Sequence, residues 1–126
     1  MFLPRRLRLR PKKHVLLLGP RRTGKSTWLR QSVADAVFID LLHSDVYFEY
    51  QARPSLLRER FGHQNRTVVI DEVQRIPDLL HEVHSLIETS RCRFVLCGSS
   101  ARKLRRQGVT NLAGRLATLR MFPLSW

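Results

Sequence analysis

The residues best suited to chemistry form one unbroken run, Gly19-Pro20-Arg21-Arg22-Thr23-Gly24-Lys25-Ser26. It fits G-x-x-x-x-G-K-[ST] at every fixed position. Glycines let such a loop curl until its backbone N–H groups converge on phosphate oxygens, and a helix opening behind it adds the positive end of a dipole. Lys25 would reach the β- and γ-phosphates as a point charge, and Ser26 would place its hydroxyl on Mg²⁺. Gly19 through Ser26, with Thr27 behind them, form the expected phosphate cradle. The alternative is a glycine-rich turn that happens to contain Lys-Ser.

A second signal is Val68-Val69-Ile70-Asp71-Glu72, an apolar run that ends in two carboxylates. Asp71 would support the metal shell, and Glu72 would polarise an attacking water as general base. That glutamate favours hydrolysis over phosphoryl transfer to a bound hydroxyl, which needs no water-activating base. A third run, Phe94-Val95-Leu96-Cys97-Gly98-Ser99-Ser100, ends in small polar residues. Ser99 or Ser100 would bond the γ-phosphate or the water, or else cap the next helix. His81 and His84 stand i, i+3, one residue short of a helical zinc pair, and make a poor metal site. Tyr47, Phe48 and Tyr50 read as core or lid packing, or as a surface on which adenine could stack.

These residues need elements to hold them. The apolar runs His14–Leu18, Val37–Leu41, Thr67–Ile70, Phe94–Cys97 and Leu116–Met121 read as strands buried on both faces. Helical patterns lie between them, at Thr27–Ala36, Pro54–Gly62, Pro77–Thr89 and 100–107. Pro77–Thr89 carries the clearest apolar face. Strand–helix alternation implies right-handed crossovers and an α/β fold with a mostly parallel sheet. Ligands of such sheets bind at the carboxyl ends of the strands, where all three signals fall.

The 126 residues fit one domain, and their net charge of +13 is unevenly placed. Residues 1–13 hold six basic residues and no acid, and residues 91–126 hold eight and no acid, while every acid lies between. A basic arm (1–13) thus precedes a body (14–126) that is near neutral up to residue 90. No apolar run approaches the ~20 residues of a membrane span. The basic N-terminus lacks the apolar stretch of a signal peptide. Cys92 and Cys97 read as buried free thiols, which suits a reducing cytoplasm.

Taken together, the loop Gly19–Ser26, the segment Val69-Ile70-Asp71-Glu72-Val73-Gln74, the segment Leu96–Ser100, and Ala113-Gly114-Arg115 running into Phe122-Pro123-Leu124-Ser125 resemble the additional-strand P-loop ATPases. More narrowly, they are similar to bacterial and archaeal AAA-type ATPases that carry a C-terminal domain of unknown function. The resemblance implies a three-layer P-loop NTPase sandwich with five strands in the order 5-1-4-3-2. It implies ATP and Mg²⁺ as ligands, with Lys25 and Ser26 on phosphate and metal, Asp71 supporting the metal and Glu72 activating water. Ser99 would take the sensor position. Arg115 would be a γ-phosphate sensor or a finger offered to a neighbouring subunit. Members of that family continue into a second domain, so a missing C-terminal partner and a truncated chain are expected, with a homo-oligomer as another possible partner state.

Three readings compete: a Mg²⁺-dependent ATPase, a nucleotide-gated module that binds nucleic acid non-specifically through its basic ends, and an inactive fragment of a larger ATPase. Nothing in the chain resembles an element that reads base sequence. Its nineteen arginines against four lysines also fit a genomic base composition.

Overall fold

The computed structural model describes residues 14–19, 29–31, 33, 35–112 and 115–120. Five strands form one sheet: β1 (His14–Leu18), β2 (Val37–Asp40), β3 (Thr67–Asp71), β4 (Arg93–Gly98) and β5 (Leu116–Arg120). Their order is β2-β3-β4-β1-β5, with every pairing parallel. That is the expected 5-1-4-3-2 order read from the other edge.

The strands bury both faces because their side chains alternate between two apolar layers. Leu16 and Leu18, Val68 and Ile70, and Phe94 and Leu96 point into the larger core. Val15 and Leu17, Val69, and Val95 and Cys97 point into a second one with Leu29 and Val33. Backbone at 29–31 is helical, and the Val33 N–H bonds the Leu29 carbonyl at 2.9 Å. The larger core is covered by α1 (Ser44–Ala52), α2 (Leu56–Phe61), α3 (Asp78–Thr89) and α4 (Ala101–Arg106). α3 buries Leu79, Leu80, Val83 and Leu86, the stripe its periodicity predicts. Helices on both faces of a parallel sheet complete the expected α/β architecture.

One α-helix is additional to those expected. Ser44–Ala52 is rich in strand-favouring residues (Val46, Tyr47, Phe48, Tyr50), and His43 offers it no side-chain cap. Tertiary packing overrides that weak local preference. Tyr50 enters the core and accepts a hydrogen bond from Arg60 at 3.1 Å, while Tyr47 stacks under the Arg75 guanidinium at 4.4 Å. Phe48 is left 66% exposed. Cys92 and Cys97 are both buried and form no disulfide.

Candidate functional site

In a parallel sheet every carboxyl end faces the same way, and here that end gathers the polar residues. β1 and β4 are central neighbours, with Leu18 opposite Gly98. The Gly19 N–H, just past β1, donates to the Gly98 carbonyl at 3.1 Å. Asp71 closes β3 opposite Cys97, and Arg120 closes β5 opposite Leu18. Gly19, Asp71, Glu72, Ser99 and Arg120 thus lie along one edge. Pro20, Arg21, Arg22, Thr23, Gly24, Lys25, Ser26 and Thr27 lie outside the described residues.

Asp71 and Glu72 leave the strand in different directions. Asp71 is half-buried and shares a cavity of about 40 Å³ with Leu29 and Arg30, on the helical stretch beyond the glycine loop. Glu72 sits at φ 58°, ψ 47°, the left-handed region, which costs a non-glycine residue about 1 kcal/mol. This turn carries its side chain inward, to 1% exposure.

A buried carboxylate needs donors, and Glu72 has them. Its Oε2 accepts from Ser99 Oγ at 2.9 Å and from Gln74 Nε2. Gln74 Nε2 also lies 3.3 Å from Ser99 Oγ, which closes a triangle of polar side chains. The Gln74 carbonyl accepts from Gln107 Nε2 at 2.9 Å, tying the triangle to the end of α4. Arg75 Nη1 donates to the Leu41 carbonyl at 2.7 Å and so fixes the same turn to the end of β2. Gly98 makes room for the cluster. A Cβ there would lie 2.6 Å from Leu104 Cδ1 and 3.0 Å from Gln74 Oε1.

The two serines divide the work considered for them. Ser100 caps α4, its hydroxyl accepting from the Lys103 N–H at 3.2 Å, while Ser99 turns to Glu72. Arg115 is not brought to this edge. It precedes β5, which runs parallel to β1 with Leu116 opposite His14, so it lies at the amino end of the sheet. There it pairs with Glu88 at 2.5 Å. A five-residue strand separates the two ends by about 13 Å.

Gln74, Arg75 and Gln107 are the positioning residues that motif reasoning misses. Gln74 falls inside a matched segment, but a neutral amide advertises no chemistry. His84 lies 4.0 Å from Glu88, and no cluster of three metal-ligating side chains occurs among the described residues. Nor is any helix among them long and apolar enough to cross a membrane.

The family of AAA domains matches residues 11–126. The chain belongs to that family. Among solved structures it is similar to the ORC2 protein of Aeropyrum pernix, determined as ADPNP–ADP complexes, at 14% identity and a TM-score of 0.56. The match covers 88% of this chain and 42% of the ORC2 chain, so this AAA domain spans less than half of that protein's length. At such low identity the likeness concerns the fold. Among curated proteins no sequence matches the chain.

Proposed function

We propose that the chain binds ATP with Mg²⁺ at the carboxyl edge of the sheet and hydrolyses its γ-phosphate. The observation that carries this reading is the convergence of Asp71, Glu72 and Ser99 beside Gly19, the first residue of the G-x-x-x-x-G-K-S run. The ADPNP and ADP held by the ORC2 protein agree with it.

The residues fit the metal. Mg²⁺ is commonly held by one or two protein oxygens together with substrate phosphates and water, and Asp71 with the Ser26 hydroxyl would supply such oxygens. When bound, the ion would neutralise charge developing on the β- and γ-oxygens. Lys25 and the loop amides would hold the phosphates. Glu72 would accept a hydrogen bond from the attacking water and orient it in line with the γ-phosphorus. Ser99 would fix the carboxylate and stand ready to donate to a γ-oxygen.

Glu72 is buried and already bonded to Ser99 and Gln74, so it must turn outward to meet water. Hydrolysis would require exchange of at least one of these donors for the nucleophile. Titration of Mg-ATP against the wild-type chain and Lys25→Ala, followed by single-turnover hydrolysis, tests the proposal. The wild type should bind and turn over, and Lys25→Ala should lose binding. Retained micromolar affinity in Lys25→Ala would sink the phosphate-loop assignment.

A further inference from the structure

Nucleotide chemistry accounts for one end of the sheet. At the other, the amino ends of β1, β3 and β4 border an open cleft of about 670 Å³. Its described lining includes Arg66, Arg91, Arg93, His14 and Asn65, with Asp35 as its one acid. The cluster is built into the fold. The Arg93 N–H donates to the Arg66 carbonyl at 2.9 Å, and Thr67 stands opposite Arg93 in the ladder. Between Arg91 and Arg93, the buried Cys92 thiol donates to the carbonyls of Phe61 and Gln64, each at 3.3 Å. That anchors the turn and leaves Arg91 exposed.

His14 adds a neutral donor. Its Nδ1 accepts from the Phe94 N–H at 3.0 Å, which leaves Nε2 as the N–H-bearing nitrogen. Burial holds its pKa below the usual 6.5, and the positive charges of Arg93 and Arg115 lower it further. With Arg66, Arg91 and Arg93 against the single Asp35, the described lining is net positive.

Four arginines elsewhere in the fold are matched by carboxylates. Arg53 pairs with Glu59, Arg58 with Glu82, Arg60 with Glu49 and Arg115 with Glu88. Neither Arg66 nor Arg91 has a carboxylate partner among the described residues. Residues 1–13, which add six basic residues and no acid, run directly into His14.

We propose that this cleft grips the phosphodiester backbone of a nucleic acid at the end of the sheet opposite the nucleotide. Guanidinium forks match phosphate oxygens, and Asn65 and His14 add neutral donors. The cleft, at about 670 Å³, is far larger than one phosphate group, so a run of phosphodiesters fills it better than a single small anion does. The bases go unread: among the described lining residues there is no tryptophan, tyrosine or phenylalanine on which a base could stack. A lipid surface fits less well. The large apolar residues exposed among those described are Leu42 and Phe48, beyond β2 and on α1, away from the cleft.

The test is DNA binding by the full chain at rising salt, using random-sequence single strands and duplexes with fluorescence anisotropy. Wild type is compared with the double variant Arg66→Ala/Arg91→Ala and with Arg102→Ala/Lys103→Ala, which removes two exposed charges from α4. Losing two phosphate contacts should lower affinity at least about tenfold at about 50 mM salt and flatten the log–log salt slope by about 1.8 on duplexes and about 1.4 on single strands. The α4 pair should change neither by as much. All four positions are exposed, so melting temperatures should match and a folding defect would be visible. Equal losses in the two double variants, no DNA binding at about 50 mM salt, or binding confined to phosphatidylserine vesicles would each overturn the proposal.

Discussion

Glu72→Gln removes a charge and little else. Glutamine keeps the length of the side chain and bears the left-handed backbone as well as glutamate does. In the wild type, Oε2 accepts from both Ser99 and Gln74. A hydrogen bond to a charged acceptor contributes ~1.5–3 kcal/mol and one to a neutral acceptor ~0.5–1.5. Two weakened bonds therefore cost about 2 kcal/mol. Glu72 is also 1% exposed, and relieving a carboxylate buried that deeply gains back a similar amount. The variant should melt within about 5 °C of wild type. Its chemistry should not survive so well. Loss of a general base slows hydrolysis ~10²–10⁴-fold, which is ~3–5 kcal/mol of barrier. Single-turnover hydrolysis at saturating Mg-ATP measures the rate, and equilibrium titration with a fluorescent ATP analogue measures affinity. Unchanged affinity with turnover within about threefold of wild type would refute Glu72 as the base. A variant that fails to fold would refute the energy balance.

Gln74→Leu removes one donor from Glu72 and should cut kcat about tenfold with KM nearly unchanged, since the amide orients the base and does not hold phosphate; a KM effect alone would point elsewhere. Gly98→Ala drives a methyl against Leu104 and Gln74 and should destabilise by about 1–3 kcal/mol, read by urea unfolding. Arg115→Ala breaks an exposed pair with Glu88, so stability should fall by less than about 1 kcal/mol and nucleotide affinity should hold; a large affinity loss would contradict its place at the amino end. His14 has a depressed native pKa, so below 6.5 the unfolded chain binds the extra proton and stability falls as pH drops towards the native value. His14→Gln should flatten the part of a stability–pH profile that lies just below pH 6.5, and an unchanged profile would refute the assignment.

The sheet was legible because its strands are buried on both faces: four or five apolar residues in a row, as at Val15–Leu18 and Phe94–Cys97, have few other homes. Asp71, Glu72 and Ser99 were legible for a related reason, since each stands where such a run meets water. α1 was not, because Val46, Tyr47 and Tyr50 prefer strands locally and become helical through contacts with the core and Arg75. Gln74 and Gln107 were hidden differently. They stand 33 residues apart, and neither can titrate, so only the fold reveals that one amide holds the carboxylate and the other holds the turn. Arg115 shows how a motif resemblance can leave position open. Its Gly-Arg pair suggested a phosphate contact, but a residue that precedes a parallel strand begins at the amino end, whatever its side chain can do.

The same geometry changes what the net charge of +13 means. Along the sequence, Arg93 and Arg120 belong to one basic segment. In the sheet they stand at opposite ends, because β4 and β5 run parallel and Arg93 opens one strand while Arg120 closes the other. About 13 Å of strand exceeds the ~8–10 Å over which exposed charges interact at physiological salt. Charges exposed at the two ends are therefore largely screened from each other. At the carboxyl end, cations share the edge with Asp71 and Glu72, which suits a metal–phosphate complex. At the amino end Arg66 and Arg91 face a cleft with one acid, which suits a polyanion that arrives without a metal. A ligand at one end can influence the other only through the strands or the helices that bridge them, and not by charge alone.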